Sequence, residues 1–248
     1  MSCKVSIITV CYNSEQYLKS AIDSVLSQAY KDIEYIIVDG ASKDGTLDII
    51  KSYGDRISKV ISEPDNGIYD AMNKGVKAAT GDLVGILNSD DFFTDSQSVS
   101  RIVGGFAETI DAVYADIKFV APMDLTKIVR YYTGKHFKNW MYRFGMMPPH
   151  ATVYIKRELF ERLGYYKPEF KVSADIELLM RYFYVNKINT KYIDKDLVTM
   201  RTGGVSTGSI RGKLQINKDT LKACKENGIY SNHLFMVIKY ILKLIYKS

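Results

Sequence analysis

The sequence predicts an α/β fold whose core is a mostly parallel sheet with helices on both faces. In the first half of the chain, short β-branched apolar runs alternate with segments that carry one apolar stripe at helical spacing. Polar clusters follow these runs, as expected where ligands bind at the carboxyl ends of parallel strands. The chain has 248 residues, of which 46% are hydrophobic and 25% charged, so it can bury a full core without disulfides or structural metal.

Four predicted strands in the first half are separated by helices. The run at residues 4–9 is β-branched and apolar, and the next segment has Leu18, Ile22 and Val25 on one helix face. Ser14 precedes that helix and is expected to be its N-cap. We predict strands at residues 4–9, 33–38, 59–62 and 83–87, and helices at residues 17–26, from residue 46, and at residues 68–79.

The second half is less regular but carries further strand and helix patterns. Residues 121–149 lack clear periodicity and are rich in Tyr, Lys, Met and Pro, which predicts a loop that can move. We predict helices at 96–109, 157–163, 175–185, 213–227 and 234–246, and strands at 112–120, 151–155 and 190–200. The chain thus divides into one domain at residues 1–208, with halves at 1–95 and 96–208, and a C-terminal helical extension at 209–248.

Charge and cysteine content narrow the functional classes. The net charge of +6 suits an anionic partner, but the basic residues are dispersed and no nucleic-acid-binding motif is recognised, so we expect no nucleic acid. The three cysteines form no CxxC pair, and their odd number argues against a disulfide framework. The apolar N-terminal run is too short for a signal peptide and no stretch is long enough to span a bilayer, so a cytoplasmic protein is expected.

Two adjacent acids, Asp90 and Asp91, follow the fourth predicted strand within the cluster Asn88-Ser89-Asp90-Asp91. Adjacent carboxylates repel each other unless a cation or hydrogen-bond donors compensate. Carboxylate oxygens together with diphosphate oxygens make a suitable site for Mg²⁺ or Mn²⁺. The alternative is a solvated turn or a helix cap, and the pair taken alone favours that alternative.

Asp39 ends the second predicted strand in the same way. It is followed by a glycine-containing loop, and Asp44 and Thr46 then begin the next helix. Asp39 could accept a hydrogen bond from a nucleotide base or a ribose. An ordinary turn, with Asp44 and Thr46 acting as helix caps, is the equal alternative.

Taken together and in order, three segments resemble glycosyltransferase family 2: SIITVCYNSEQYLKSAIDSVLSQ, IEYIIVDGASKDGT and ISEPDNGIYDAMNKGVKAATGDLVGILNSDD. The resemblance covers residues 1–100 densely and residues 101–200 more loosely. It implies a GT-A fold with a Rossmann-like sheet, a nucleotide-diphosphate sugar donor and a divalent cation, Mn²⁺ or Mg²⁺. It makes residues 1–95 the nucleotide-sugar-binding half and residues 96–208 the acceptor-binding half.

The resemblance also implies contacts to the donor. Thr9, Tyr12 and Asn13 would line the nucleotide pocket, with Tyr12 near the base. Asp39 would bind the edge of the base. The ribose and the diphosphate would lie near a group of charged residues, namely Glu63, Asp65, Asp70 and Lys74.

The acidic cluster matches the end of the family's DxD-type motif. The resemblance makes Asp91 the metal ligand and Asp90 a contact to the ribose or the metal. The first acid of the motif is here Asn88, so this position offers an amide where the family has a charged ligand.

A catalytic base is also expected, because an acceptor hydroxyl is a poor nucleophile. The segment from Val172 to Arg181 resembles the family segment that holds the catalytic carboxylate, and this makes Asp175 the base. Glu177 is the alternative base, and the family's frequent preceding acid is here Ala174. Without the resemblance, Asp175 would be read as an ordinary acid at a helix N-terminus.

Two further positions are candidate contacts to the acceptor or to phosphate. His150 precedes a predicted strand and could contact the acceptor, the diphosphate or the metal, although a packed histidine is equally expected. The segment from Arg201 to Ser206 resembles the family's flexible loop after the last core strand. Arg201 or Ser206 would meet phosphate when that loop closes, and a plain surface loop is the alternative.

The sequence lacks the QxxRW motif of processive synthases, which favours transfer of a single sugar. By resemblance, the donor is expected to be a UDP-sugar. The acceptor is expected to be a glycan or lipid-linked molecule of bacterial surface polysaccharide, such as a capsule. Residues 234–246 combine an apolar stripe with Lys239 and Lys243, and Lys247 continues the spacing, which suits peripheral contact with the anionic inner face of the plasma membrane. Packing on the core or on a second subunit of a homodimer remains open.

Inversion is implied by the resemblance, together with one base acting in the reaction. Two rival functions are weighed against an inverting glycosyltransferase. A sugar nucleotidyltransferase usually has a Gly-rich basic loop after the first strand, but the loop from Cys11 to Ser14 has no glycine. A non-catalytic nucleotide-sugar-binding protein would bind donor without turnover.

Overall fold

The computed structural model describes residues 3–203 and 210–245. The strands are β1 (Val5–Cys11), β2 (Ile33–Asp39), β3 (Lys59–Ser62), β4 (Leu83–Ile86), β5 (Phe92–Phe93), β6 (Ala112–Ala121), β7 (Asp124–Tyr132), β8 (Tyr154–Lys156) and β9 (Thr190–Arg201). The helices are α1 (Leu18–Leu26), α2 (Thr46–Ser52), α3 (Ile68–Ala78), α4 (Ser98–Gly105), α5 (Glu158–Leu163), α6 (Ala174–Leu179), α7 (Ile210–Glu226) and α8 (His233–Ile245). Within the described residues the strands form one mixed sheet in the order β3-β2-β1-β4-β8-β6-β9-β5, and β7 pairs with β6.

Strands β1 to β4 form the parallel part of the sheet, which confirms the predicted βα order of the first half. Strand β3 has the predicted bounds, β2 and β4 differ from prediction by one residue at one end, and β1 differs by one or two residues at both ends. Cys11 lies beside Asp39, and Asp39 lies beside Ser62. The carboxyl ends of β1, β2 and β3 therefore form one continuous edge.

Alternate side chains of the central strands enter two separate apolar layers. On β1, Val5 and Ile7 belong to the layer that contains α1, α2 and α4, whereas Ile8 and Val10 belong to the layer that contains α3, α5 and α6. A strand covered on both faces buries both sets of side chains, which is why β1 reads as a continuous apolar run. The predicted arrangement of helices on both faces is confirmed.

The second half continues the sheet in mixed orientation. Strand β8 is antiparallel to both β4 and β6, and β9 is parallel to β6. Strands β6 and β9 therefore run in the same direction as β4, and their carboxyl ends lie at the same edge. The short turn His150–Thr152 directly precedes β8, so it also lies at that edge.

The prediction of a loop over residues 121–149 is wrong for its first part, which forms β7. This strand pairs with the outer part of β6 through residues such as Ile117 and Tyr132. Its residues from Asp124 to Tyr131 are all exposed, so neither face is buried and no alternating pattern marks the strand. The rest of the segment includes a 3-10 helix, Asn139–Phe144.

Two helical predictions are corrected in detail. Ser14 does not cap α1, because its hydroxyl hydrogen-bonds the Tyr12 carbonyl and Ser89, while its carbonyl accepts a hydrogen bond from Leu18. The helix predicted at 175–185 begins as α6 and continues as a π-helix, Met180–Val185.

The C-terminal helices pack partly on the domain. Ala223 and Cys224 of α7 are buried in the same apolar layer as α6. The predicted boundary at residue 208, and Ser206 with it, lie outside the described residues.

Lys239 of α8, which the sequence predicts to lie on an exposed basic stripe, points into the protein. Lys239 is 5% exposed, its Nζ lies 2.8 Å from Asn217 Oδ1, and burial lowers the pKa of its amine to about 8. The ring of Phe235 stacks on Phe144 with centroids 4.7 Å apart, and this contact helps set the rotation of the helix. The exposed positions are mostly apolar, namely Leu234, Val237, Tyr240 and Ile241, and Lys243 is also exposed, whereas Lys247 lies outside the described residues. None of the described helices is long and apolar enough to cross a bilayer.

Candidate active site

The polar loops that follow β1 to β4 meet at one edge of the sheet, as parallel topology requires. Ser14 Oγ and Ser89 Oγ lie 3.0 Å apart and join the loop after β1 to the loop after β4. A Cβ added to Gly40 would lie 2.4 Å from Asp65 Oδ2 and 3.4 Å from Tyr12 Cδ2. The loops after β1, β2 and β3 are therefore also in close contact.

Asp39 is completely buried at this edge, and its carboxylate is held by protein donors. It accepts hydrogen bonds from the backbone N–H and hydroxyl of Ser42, and from the Ser62 hydroxyl, whose Oγ lies 2.7 Å from Oδ2. Thr9 is also fully buried and lies 3.0 Å from the hydroxyl of Tyr35. The buried side chains of Asp39 and Thr9 therefore lie beneath the loops and support them. Because Thr9 is fully buried, it does not line an open pocket.

Tyr12 and Asn13 lie above them. Tyr12 is 58% exposed, so its ring is free to contact a ligand. Asn13 has a φ of 48°, a left-handed conformation that asparagine tolerates better than most residues. Its N–H donates to Ser42 Oγ at 2.8 Å, and its Oδ1 accepts from the backbone N–H of Lys43 at 2.9 Å. Asn13 therefore ties the first loop to the second.

The predicted charged group lies at the beginning of α3. Lys74 Nζ lies 2.9 Å from Glu63 Oε1 and 4.0 Å from Asp70 Oδ2. The hydrogen bond to Glu63 raises the pKa of Lys74 above its ordinary value. Asp65 Oδ1 accepts from the N–H of Gly67 at 2.9 Å and so shapes the loop before the helix. The structure thus brings all four predicted residues into one region.

The acidic turn after β4 contains unpaired acceptor atoms. Asp91 is completely buried, and its Oδ2 accepts from Asn88 Nδ2 at 2.9 Å. Among the described residues, Asp91 Oδ1 and Asn88 Oδ1 are buried with no hydrogen-bond partner. Burial raises the pKa of the Asp91 carboxyl well above its ordinary value, and Asp90 adds to this shift. Buried oxygens without donors are the atoms that a cation would satisfy.

Arg201 is placed differently from the expectation that it meets phosphate. Its guanidinium stacks on the rings of Tyr17 and Phe92, with centroids 4.8 Å and 5.0 Å away. It donates from Nη1 to the carbonyl of Asp90 and from Nη2 to Ser20 Oγ at 2.9 Å. Because the side chain is 9% exposed and both terminal nitrogens donate to protein groups, it braces the acidic turn, while its Nε is buried without a hydrogen-bond partner.

Asp175 lies in the first turn of α6 and is only half-buried. Its Oδ1 accepts from the backbone N–H of Ile176 at 2.8 Å and from the hydroxyl of Tyr69, 3.2 Å away. Because Tyr69 belongs to α3, this contact ties the predicted base to the helix that carries Asp70 and Lys74. Asp175 is therefore joined to the same edge as the residues predicted to bind the donor.

His150 lies close to Asp175 but is engaged with protein. Its Nε2 lies 2.9 Å from the hydroxyl of Tyr166, and the two rings pack edge to face. Burial lowers the pKa of His150, so its imidazole is neutral near pH 7. A contact from His150 to a ligand would have to use its other ring nitrogen.

Glu177, the alternative base, is unsuited to that role. It is completely buried and forms ion pairs with Arg181 and Lys167, each at 3.0 Å. Arg181 in turn donates to the carbonyls of Leu163, Gly164 and Tyr165. Because both Glu177 oxygens are occupied by cations, this carboxylate holds α6 against the preceding loop.

Sequence reasoning missed four supporting residues: Ser42, Ser62, Tyr69 and Ser89. Single serines in loops or at a strand end carry no distinctive pattern, and their role follows only from which segments meet. The sequence places Tyr69 in a predicted helix, and its position in the first turn after Asn66-Gly67 is the signal that could have found it.

The similarity of this chain to known proteins assigns its family. A family model described as "Glycosyl transferase family 2" matches residues 6–164. The chain belongs to glycosyltransferase family 2. It is 30% identical over 193 residues to a PGL/p-HBAD biosynthesis glycosyltransferase of Mycobacterium bovis, covering 76% of this chain and 73% of the relative. It is also 30% identical over 208 residues to an uncharacterized glycosyltransferase of Rickettsia typhi, covering 78% of this chain and 62% of the relative.

Solved structures support the GT-A fold of this glycosyltransferase family 2 member. The mannosyltransferase PcManGT of Pyrobaculum calidifontis, in complex with GDP-Man and Mn²⁺, superposes with a TM-score of 0.70 at 17% identity, covering 97% of this chain and 69% of that one. Residues 1–349 of S. aureus TarS, in complex with UDP-GlcNAc, superpose with a TM-score of 0.65 at 20% identity, covering 88% and 66%. The chain spans 39% of the longer TarS structure.

Proposed function

We propose that this protein is an inverting glycosyltransferase that moves a sugar from a nucleotide-diphosphate donor, a UDP-sugar, to a hydroxyl of a glycan or lipid-linked acceptor in polysaccharide biosynthesis. The observation that carries the proposal is the hydrogen bond from the Tyr69 hydroxyl to Asp175 Oδ1. It joins a half-buried carboxylate to the helix that also carries Asp70 and Lys74, two of the charged residues proposed to meet the diphosphate. A single base and a single donor site at the same edge of the sheet suit a reaction with one displacement at the anomeric carbon.

The donor would bind across the loops after β1 to β4. Tyr12 offers an exposed ring to the base, and Asn13 shapes the loop beside it. Asp39 would receive the base edge only by sharing or exchanging the hydrogen bonds that it now accepts. The ribose and diphosphate would lie near Asp90 and the charged group at α3, namely Glu63, Asp65, Asp70 and Lys74.

The residues present fit a divalent cation, Mn²⁺ or Mg²⁺, that is completed by the donor. In residues 3–203 and 210–245, no three His, Cys, Asp or Glu side chains group as a protein-only metal site. The unpaired oxygens of Asp91 and Asn88 are hard ligands of the kind that these cations prefer. Asp91, assisted by Asp90, would hold the cation, which would offset the charge of the leaving diphosphate.

Asp175 would act as the base. As the acceptor oxygen forms its bond to the anomeric carbon, the bond from that carbon to the diphosphate breaks, and the acceptor proton passes to Asp175. Attack on the face opposite the diphosphate inverts the configuration at that carbon. Because Oδ1 is held by two donors, Oδ2 is the oxygen available for the proton.

The exposed apolar face of α8 supports a peripheral site of action. Leu234, Val237 and Ile241 are each more than half exposed, with exposures of 63%, 60% and 55%. Such a stripe suits the inner face of the plasma membrane, where a lipid-linked acceptor would be presented. A homodimer that covers the same stripe is the alternative.

The decisive experiment is a donor-hydrolysis screen with a panel of nucleotide sugars, with Mn²⁺, Mg²⁺ or chelator. We expect metal-dependent release of nucleotide diphosphate from one donor, lost in Asp91→Ala. Asp175→Asn should retain donor binding but lose acceptor transfer by at least about 100-fold. Asp194→Asn, which changes an exposed carboxylate paired with Lys135, is the control and should behave as wild type.

No release from any donor, together with no metal-dependent nucleotide binding, would refute the proposal. Binding without release, persisting after acceptor trials, would instead identify a non-catalytic nucleotide-sugar-binding protein.

A further inference from the structure

The carboxylate of Asp175 is surrounded by neutral groups from several elements. Tyr69 of α3, Tyr132 of β7, His150 and Tyr166 all lie close enough to interact electrostatically with it. Burial raises the pKa of each tyrosine and lowers that of the histidine, so all four are uncharged near pH 7. Their influence on the carboxylate must therefore come through hydrogen bonding and packing.

Of these four groups, Tyr69 is the one with a hydrogen bond to the carboxylate. Its hydroxyl lies 3.2 Å from Oδ1, the same atom that accepts from the N–H of Ile176 at 2.8 Å. Burial and the negative charge of Asp175 both raise the pKa of Tyr69 well above its ordinary value. Tyr69 therefore keeps its proton and acts as a donor. Two donors on one oxygen restrict rotation of the carboxylate and leave Oδ2 directed away from them.

The ring of Tyr69 is itself held in place. It is 7% exposed and stacks on Tyr166 with centroids 5.9 Å apart. Tyr166 is held by Asn73, one turn further along α3, through two hydrogen bonds between the Asn73 amide and the Tyr166 backbone, of 2.8 and 3.0 Å. A donor on a buried ring that is stacked on a fixed neighbour can define the direction of its acceptor.

We propose that Tyr69 is a positioning residue for the reaction: its hydroxyl orients Asp175 so that Oδ2 faces the acceptor hydroxyl. The inference rests on the proposed function, because it assumes that Asp175 is the base. It adds a physical link between the proposed donor-binding residues on α3 and the proposed base on α6. The first turns of α3 also carry Asp70 and Lys74, so the helix that meets the donor also aims the base.

The test is Tyr69→Phe, which removes one oxygen and keeps the buried ring. We expect kcat for acceptor transfer to fall about tenfold, the size expected for one lost hydrogen bond, while KM for the donor changes less than about twofold. Tyr182→Phe is the matched control, because that buried hydroxyl donates to the carbonyls of Leu159 and Gly164 and makes no hydrogen bond to Asp175. It should leave kcat unchanged.

A double-mutant cycle shows whether Tyr69 acts through Asp175. In the Asp175→Asn background, Tyr69→Phe should have no further effect on the residual transfer rate. An equal loss in both backgrounds, or a rise in donor KM without loss of kcat, would overturn the proposal.

A second cycle, in which Asp175→Ala removes the acceptor oxygen that asparagine would retain, is measured by urea unfolding and separates this inference from the proposed function. Coupling between the two substitutions in the unfolding free energy supports the hydrogen bond, and additive effects would overturn it, whether or not any donor is turned over. A wild-type protein without turnover would count against the proposed function alone.

Discussion

The guanidinium of Arg201, at the end of β9, donates a hydrogen bond to the backbone carbonyl of Asp90, in the turn after β4. The two residues are far apart in sequence and belong to different halves of the chain. The planar group is also stacked on Tyr17 and Phe92, so its position is defined by three elements. The last long strand of the sheet thus holds the turn that is proposed to bind the cation.

Replacing Arg201 with lysine should weaken metal activation. An ammonium group keeps the charge but loses the planar stacking and one of the two hydrogen bonds, to Asp90 or to Ser20. We expect the Mn²⁺ concentration for half-maximal donor release to rise about tenfold. Arg101→Lys is the control, because that arginine pairs with Asp95 at the surface. Equal metal activation in both variants would contradict the bracing role.

Replacing Gly40 with alanine should weaken donor binding. The new Cβ would lie 2.4 Å from Asp65 Oδ2, so the Asp65 side chain or its loop must move. We expect UDP affinity, measured by calorimetry, to fall about tenfold.

Gly104→Ala is the control for this substitution. Gly104 lies in α4, and a Cβ there meets nothing within 4 Å. This variant should be more stable by about 0.5–1 kcal/mol with unchanged affinity. If Gly40→Ala bound UDP as the wild type does, the contact between the loops would not matter for the donor.

The stability of the fold should depend on Glu34 in acid. Burial raises the pKa of this carboxyl, but hydrogen bonds from Ser6 and Thr80 outweigh burial and lower it to about 2. A carboxyl whose pKa is lower in the folded state stabilises the fold above its unfolded pKa of about 4.5, and this contribution disappears as pH falls towards 2.

The expected contribution is about 3 kcal/mol at neutral pH. Urea unfolding between pH 6 and pH 2 should show a loss of stability in the wild type that is smaller in Glu34→Gln. Asp55→Asn, at an exposed position in the turn before β3, serves as the control and should follow the wild type. Parallel curves for wild type and Glu34→Gln would contradict the assignment.

Much of the fold could be predicted because local patterns and burial agree in the first half. Strand β3 was predicted with its observed bounds, and β1, β2 and β4 nearly so, since these strands read as short apolar runs between turn residues. Strand β7 could not be predicted, because it is exposed on both faces and exists through its pairing with β6.

Part of the candidate site could be predicted for the same reason. Asp39 and the Asp90-Asp91 pair stand directly after buried strands, and parallel topology then brings them to one edge. The buried states of Thr9 and Arg201 could not be anticipated, because they depend on Tyr35, Tyr17 and Phe92, which approach from other elements.

The sequence by itself determined the α/β class, the family and the residues that gather at the carboxyl edge of the sheet. These follow from periodicity and motif order, which are local properties of the chain. Only the tertiary structure decided what each polar group does: Glu177 is neutralised by Arg181 and Lys167, whereas Asp175 meets Tyr69 and keeps one oxygen available. The two acids are two residues apart on one helix, and their different roles arise from the neighbours that folding brings to each.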